Sequence, residues 1–482
     1  MNYKTVLHLV SFLLMMLAWF MGINALVSYG MGDPVKVWSG LLISAGVTLV
    51  TGLIMWALTR TKVDMTRREG IGIVVFGWLF ASLLSCLPFL LTGAMTNPFD
   101  AFFESCSGLT TTGASVMDNL EAHSRGILLW RATLHFLGGM GILVLVVAII
   151  PYLGVGGMQI YSAEVTGPSK DRLTPRIAST AKLLWGVYIM LNAVLIVLLK
   201  AGGMDWFDSV CHAFATISTG GFSTRTASIA AFDSLYIETV IIAFMFLSGI
   251  NFALHFKALR GQPACYLRDS EFRFYTGTTV AAIFLIWINL TTMTDMTMTE
   301  ALRHGAFYVV SLMTTTGFGT VDYDTWPALS KIVLLALFVI GGCAGATSGA
   351  LKQIRASLLM KKMVRVIRNF LKPQAVYTVK VSGQIVPQEI IFNVAVFFFI
   401  YMGTLAAGSV AMSFFCDDVA TAVSATFSAV GNVGPGFAAV GPVRNYAALA
   451  DPAKAMLAIL MLLGRLEFYT LLVVFLPNFW RK

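Results

Sequence analysis

Four short stretches of this chain carry the residue types from which a site for a bare cation is built. Thr110-Thr111-Thr112-Gly113, Ser218-Thr219-Gly220-Gly221 and Thr314-Thr315-Thr316-Gly317 are close copies of one another, and Ala429-Val430-Gly431-Asn432 is a degenerate fourth. Stripping a cation of water costs on the order of tens of kcal/mol unless other oxygens replace its hydration shell. A ring of backbone carbonyls does so. Glycine permits the dihedrals that aim successive carbonyls at one axis, and flanking Thr or Ser hydroxyls add oxygens and hold the turn. The expected ligating residues are Thr111, Thr112 and Gly113, then Ser218, Thr219 and Gly220, then Thr315, Thr316 and Gly317, and finally Val430, Gly431 and Asn432. A blander reading is that small residues let helices approach closely in a membrane. That fits any single copy equally well, and fits four copies in one recurring setting poorly.

The glycines recur roughly every 100 residues, well beyond the about 20–50 of a solenoid unit. The spacing suits two membrane-spanning helices with something between them. Composition agrees: the 482 residues are 57% hydrophobic and 12% charged, against about 25% charged in an ordinary soluble chain. Apolar runs near the roughly 20 residues needed to cross a bilayer recur from end to end. The run at 6–29 exceeds a signal-peptide core and leads to no small-residue cleavage site, so it reads as a retained helix. Six dispersed cysteines form no CxxC pair, and the six histidines show no metal-ligand spacing.

The fold expected is an all-α polytopic membrane protein. Two N-terminal helices (residues 1–66) precede four helix–pore loop–helix repeats, at 67–165, 166–262, 263–375 and 376–482, in fourfold pseudo-symmetry around one pore. Each repeat reads as a long apolar helix (70–92, 179–200, 274–292, 389–413), a short amphipathic segment ending in the Thr-Gly turn, and a closing helix (126–150, 235–256, 329–366, 453–478). The short segments cannot span, which implies re-entrant helices. Irregular backbone at membrane depth survives only where it is buried or lines water.

Most of the 33 Lys and Arg, and few of the 24 acids, fall in the segments this topology places inside. A Lys and Arg excess marks the cytoplasmic side, so all four turns enter from outside. The net charge of +9 is accounted for by these loops and gives no reason to invoke nucleic acid. Asp100, Glu104, Asp118, Glu121, Asp205, Asp208, Asp417 and Asp418 gather toward the outer mouth, where they would concentrate cations. No inner stretch is large enough to bury a core of its own, so regulation is expected from a separate chain.

Two further features bear on conduction. The 329–366 run is broken by Gly341-Gly342-Cys343-Ala344-Gly345-Ala346-Thr347-Ser348-Gly349. Gly341, Gly342, Gly345 and Gly349 would make a flexible gate below the turns, or else a close-packing seam. Arg465 lies inside the last apolar run, where a charge costs about 2.5–3.5 kcal/mol on insertion scales and faces a cavity or a partner. It reads as an electrostatic barrier in the pore. A pair with Glu467 is disfavoured, because a spacing of two puts them on different helix faces.

With filters TTTGAS, ISTGGFS, TTTGFGT and AVGNVGPGF in four helix–pore-loop–helix units, the chain resembles the Trk/Ktr/HKT superfamily of cation transporters along essentially its whole length. The extra helix pair at the start is similar to that of the Trk-type bacterial potassium uptake subunits. The resemblance implies potassium as the transported ion, with no organic cofactor, and glycine at Gly113, Gly220, Gly317 and Gly431 favours potassium over sodium. It implies the gate and the pore arginine as well, a homodimer in the lipid of the bacterial cytoplasmic (inner) membrane, and a cytosolic nucleotide-binding regulatory ring on the basic loops. The fourth filter departs from Thr-Thr-Gly, with fewer hydroxyls on its side. The alternative is a secondary symporter coupled to protons or sodium, for which Glu467 is the one candidate carboxylate. No clustered His, Asp or Glu in the membrane points to an enzyme.

Overall fold

Long apolar runs fold as helices in lipid because every backbone polar group must be satisfied internally. The computed structural model, which describes residues 2–60, 66–141, 177–372, 374 and 378–480, is built from such helices. Helices α1 (Tyr3–Gly30) and α2 (Val35–Leu58) form an antiparallel pair. The buried side of α1, including Leu9, Leu13, Leu17 and Met21, faces α2 and α3 (Arg67–Leu84). A turn ahead of Pro88 separates α3 from a short helix, Leu87–Leu91, as expected where proline has no amide to continue the ladder.

From α3 onward one order of elements recurs four times: a long helix, a short helix, a turn and a closing helix. The first set is α3, α4 (Pro98–Leu109) and α5 (Arg125–Gly139). The second is α6 (Ile177–Ala201), α7 (Trp206–Ile217) and α8 (Leu235–Ser248). The third is α9 (Ser270–Met293), α10 (Met298–Met313) and α11 (Ala328–Val339), followed by α12 (Gln353–Leu371). The fourth is α13 (Gln388–Met412), α14 (Val419–Gly431) and α15 (Asp451–Arg465). Among the described residues six helices are long and apolar enough to cross a membrane, or eight if each of two bent pairs is one span. The chain is a multi-pass membrane protein.

The short helices are 12, 12, 16 and 13 residues long. Each begins on a side chain that takes an otherwise unmatched amide: Asn97 from Phe99, Asp205 from Asp208, Thr297 from Glu300 and Asp418 from Thr421.

The closing helices differ from expectation. The 235–256 and 453–478 runs are not straight spans: α8 and the helix Phe252–Leu259 meet at 102°, and α15 and the segment Tyr469–Phe475 meet at 108°. At the first bend Gly249 packs so tightly against Tyr275 and Thr314 that no side chain fits, and its freed carbonyl accepts the Cys343 amide at 2.8 Å. At the second, Glu467 and Phe468 take left-handed φ values of 51° and 52°. The 329–366 run breaks at 340–352, where the glycines predicted it would. Helix α5 ends at Gly139, and residues 142–150 of the expected 126–150 helix lie outside the described residues. A two-stranded hairpin, Lys380–Val381 with Gln384–Ile385, had no sequence signal.

Candidate functional site

The four turns share one backbone path. After each short helix the first non-helical amide reaches back three residues and the next reaches back five. Thr111 donates to Gly108 and Thr112 to Ser107; Thr219 to Thr216 and Gly220 to Ala215; Thr315 to Leu312 and Thr316 to Ser311; Asn432 to Ala429 and Val433 to Ser428. Thr111, Thr219, Thr315 and Asn432 are left-handed, with φ of 55°, 57°, 58° and 53°, and two residues on Gly113, Gly221, Gly317 and Gly434 follow with φ of 82°, 79°, 81° and 108°.

That path sets a register other than the one read from spacing. Gly221, not Gly220, is the counterpart of Gly113, and Gly434, not Gly431, closes the series. Val430 and Gly431 belong to the last turn of α14. Sequence similarity misaligned the fourth copy because the conserved quantity is dihedral angle: Asn432 stands where threonine stands elsewhere, asparagine being another residue that tolerates the left-handed region. The fourth turn does carry fewer hydroxyls than the others; there Asn432 braces the turn through its amide, which donates to Thr112 Oγ1 at 3.0 Å and to Met461 O at 2.9 Å.

The turns meet in a closed cycle. A side chain on Gly113 would collide with the Gly220 carbonyl, one on Gly221 with that of Thr316, and one on Gly317 with that of Val433. A Cβ on Gly434 would stand 2.7 Å from Thr112 O, which completes the circuit. All four oxygens come from the same position, one residue before the positive-φ glycine. The C-terminal ends of the four short helices, the negative ends of their dipoles, lead directly into it. Hydroxyls brace it: Thr110 and Thr112 Oγ1 are 2.7 Å apart, Thr314 and Thr316 Oγ1 2.8 Å.

Several acids expected to draw cations to the outer mouth are committed to structure. Glu104 is wholly buried against Arg131, and Asp208 pairs with Arg225. Asp100 pairs with Lys454 at 2.6 Å, and Asp118 accepts from Asn445. Asp205 and Asp418 cap helices. An acid at a helix start or beside an arginine is worth more as a cap or ion pair than as a diffuse field, and spacing alone did not separate the uses. The Glu104–Arg131 cluster itself was missed. Arg131 also donates to Ser223 O and Ser115 Oγ, both at 3.0 Å, so it ties together the segments leaving the first and second turns.

Below the cycle lies the glycine-rich break. Gly341 N–H donates to Leu351 O and Leu351 N–H to Val339 O, which folds 340–351 into a narrow loop. Gly349 N–H donates to Thr315 Oγ1 at 2.7 Å, and Thr347 Oγ1 lies 3.3 Å from Thr219 Oγ1 and donates to Ile217 O at 3.0 Å. Gly342 packs on Gly249, Gly345 on Asn251, Gly341 on Gly349, and Gly349 on the Gly431 carbonyl. Glu271 takes the amides of Ala344 and Ile354 at 2.7 and 2.9 Å, clamping both ends of the loop. Arg465 donates to Thr347 O at 2.9 Å and to the carbonyls of Gly138 and Gly139. Glu467 instead pairs with Arg355.

Residues 43–482 match the family model of TrkH, a cation transport protein. A Trk system potassium uptake protein TrkH of Halomonas elongata is 39% identical over the full length of both chains. Its namesake in Escherichia coli K12 is 42% identical over 90% of this chain and 91% of that one. The crystal structure of the potassium transporter TrkH from Vibrio parahaemolyticus superposes with a TM-score of 0.89 at 36% identity, covering all of both chains. The likeness thus runs through sequence and fold alike, and the chain belongs to the TrkH family, the membrane subunits of Trk-type potassium uptake systems.

Proposed function

We propose that this protein carries potassium inward across the bacterial cytoplasmic membrane through one pore, lined by four pseudo-symmetric repeats, with the four-turn cycle as its selectivity filter. The observation that carries this reading is the closure of the cycle: four carbonyls from equivalent residues, each against a glycine of the preceding turn, as a ring replacing an ion's water requires. The repeats at 67–165, 166–262, 263–375 and 376–482 each contribute one side. The ligands proposed are Thr111, Thr112 and Gly113, Thr219, Gly220 and Gly221, Thr315, Thr316 and Gly317, and Asn432, Val433 and Gly434. Ser218, Val430 and Gly431 hold the turns from behind.

The loop around Gly341, Gly342, Gly345 and Gly349 is the gate, and Arg465 latches it. The guanidinium joins the loop to the end of α5, and its charge beneath the filter raises the barrier to a cation. The coupled-symport reading loses its candidate, since Glu467 serves Arg355. The Trk system names of its relatives support partnership with other Trk components; on this proposal the chain works as a homodimer with a cytosolic nucleotide-binding ring on its basic inner surface, of which α12, with Lys361, Lys362, Arg365 and Arg368, is part.

Flux through purified protein in liposomes, without a proton gradient, tests the reading. Potassium and rubidium passing well ahead of sodium and lithium is the expected result. Equal passage of all four overturns the filter assignment, and flux that appears only with an imposed proton or sodium gradient overturns the channel-like mechanism.

A further inference from the structure

Among the four equivalent positions that supply the carbonyl ring, three carry side chains, Thr112, Thr316 and Val433, and one does not, Gly220. The reason is on an adjacent element. The imidazole of His135, from α5 and fully buried, occupies the space a side chain at Gly220 would need: a Cβ there would stand 2.5 Å from both Cγ and Nδ1 of the ring. The ring also makes two bonds. Nδ1 lies 2.9 Å from Gly108 O, at the end of the first short helix, and Phe222 N–H, just past the second turn, donates to Nε2 at 3.2 Å. The Phe222 ring packs against it at a centroid distance of 4.1 Å, tilted by 37°.

A backbone amide only donates, so Nε2 is an acceptor and carries no proton. Nδ1 therefore holds the proton and gives it to Gly108 O. From this geometry we infer that His135 is a positioning residue for ion choice: a neutral imidazole, protonated on Nδ1, that replaces the missing side chain of Gly220 and holds the second turn to the first. It works through the Gly220 carbonyl, the one that packs against Gly113. At the other three equivalent positions Thr112, Thr316 and Val433 bring side chains of their own, whereas at Gly220 an imidazole from an adjacent element stands in for one. The inference rests on the filter reading above. A wild-type protein without ion preference would sink that reading, whereas a selective wild type with indifferent His135 variants would sink this inference alone.

The test separates the two bonds. His135→Gln places an acceptor near Nε2 and preserves the Phe222 contact, while His135→Asn places a donor near Nδ1 and preserves only the Gly108 contact. In liposomes, His135→Gln should keep the potassium-over-sodium ratio within about threefold of wild type, and His135→Asn should lose about tenfold or more, where tenfold is about 1.4 kcal/mol. If the Asn variant, folded by size-exclusion and thermal criteria, discriminates as wild type does, the role is structural only and the inference fails. A second measurement is independent of transport: nitrogen-15 spectra of the wild-type protein labelled at histidine should contain a neutral, Nδ1-protonated ring that disappears in His135→Gln. A ring protonated on Nε2, or on both nitrogens, overturns the assignment.

Discussion

Glu104 and Arg131 stand 2.7 Å apart with side chains 0% and 2% exposed, an ion pair with no water to share its charge. Such a pair is retained because breaking it is expensive: one buried partner left alone costs about 3–5 kcal/mol. Its further bonds reach Ser115, Val116 and Ser223, on the segments that leave the first two turns.

Arg131→Met should accordingly lower stability by about 3–5 kcal/mol, read as a fall in the thermal midpoint in detergent. Adding Glu104→Gln removes the stranded charge and should recover a large part of the loss. A single variant as stable as wild type would show that the pair does not hold this region.

The register set by dihedral angle separates two glycines of the fourth turn. Gly434, at φ 108° and against Thr112 O, should not tolerate Ala without loss of potassium preference, by roughly tenfold, or about 1.4 kcal/mol. Gly431 ends a helix, and a Cβ added there would stand 2.6 Å from Phe338 O. There Ala should lower the thermal midpoint while leaving ion preference near wild type. Reversed outcomes would restore the register read from spacing.

Arg465→Ala removes the link between Thr347 O and the carbonyls of Gly138 and Gly139. Basal potassium flux in liposomes should rise several-fold, and unchanged flux would rule out both barrier and latch.

Two ion pairs join the closing helix of one repeat to the short helix of the next with opposite polarity. Glu238 on α8 pairs with Arg303 on α10, whereas Lys454 on α15 pairs with Asp100 on α4. Glu238→Arg alone should destabilise, since it buries two like charges. The exchange Glu238→Arg with Arg303→Glu should regain most of the stability, which urea or thermal unfolding would reveal. No recovery would mean that the pair is incidental to the contact.

In the loop between α4 and α5, partial burial of Glu121 raises its pKa, but hydrogen bonds from the hydroxyl and amide of Thr226, with the charge of Arg225, outweigh it and leave the carboxyl below its ordinary value of 4.5. A depressed carboxylate contributes stability above its unfolded-state pKa and loses it as pH falls through the folded one. The thermal midpoint should therefore drop below about pH 4.5, and drop less in Glu121→Gln. An identical acid profile in that variant would exclude the contribution.

Much of this was legible in the sequence because lipid writes long signals. The paired N-terminal helices, the succession of apolar spans and the break at 340–352 follow from apolar length and glycine. The bends after Ser248 and Arg465 were not legible, since each depends on a distant partner: Tyr275 against Gly249, and Arg355 drawing Glu467 aside. The fourth turn was misaligned because Asn432 and Thr111 share a dihedral angle and no letters. Nothing in the local sequence marks His135, since the vacancy it fills, at Gly220, lies 85 residues further along.

The loop between α11 and α12 is stitched to Gly249 and Ile217 of the second repeat, to Thr315 of the third and to Gly431 of the fourth, and Arg465 carries the connection on to the first. A segment held on every side has no halfway position in which its amides remain satisfied. Partial withdrawal would leave buried donors bare at a cost near that of full withdrawal. Conductance should then change in whole steps, with a rate that climbs steeply on warming, because one event must break all the stitches together.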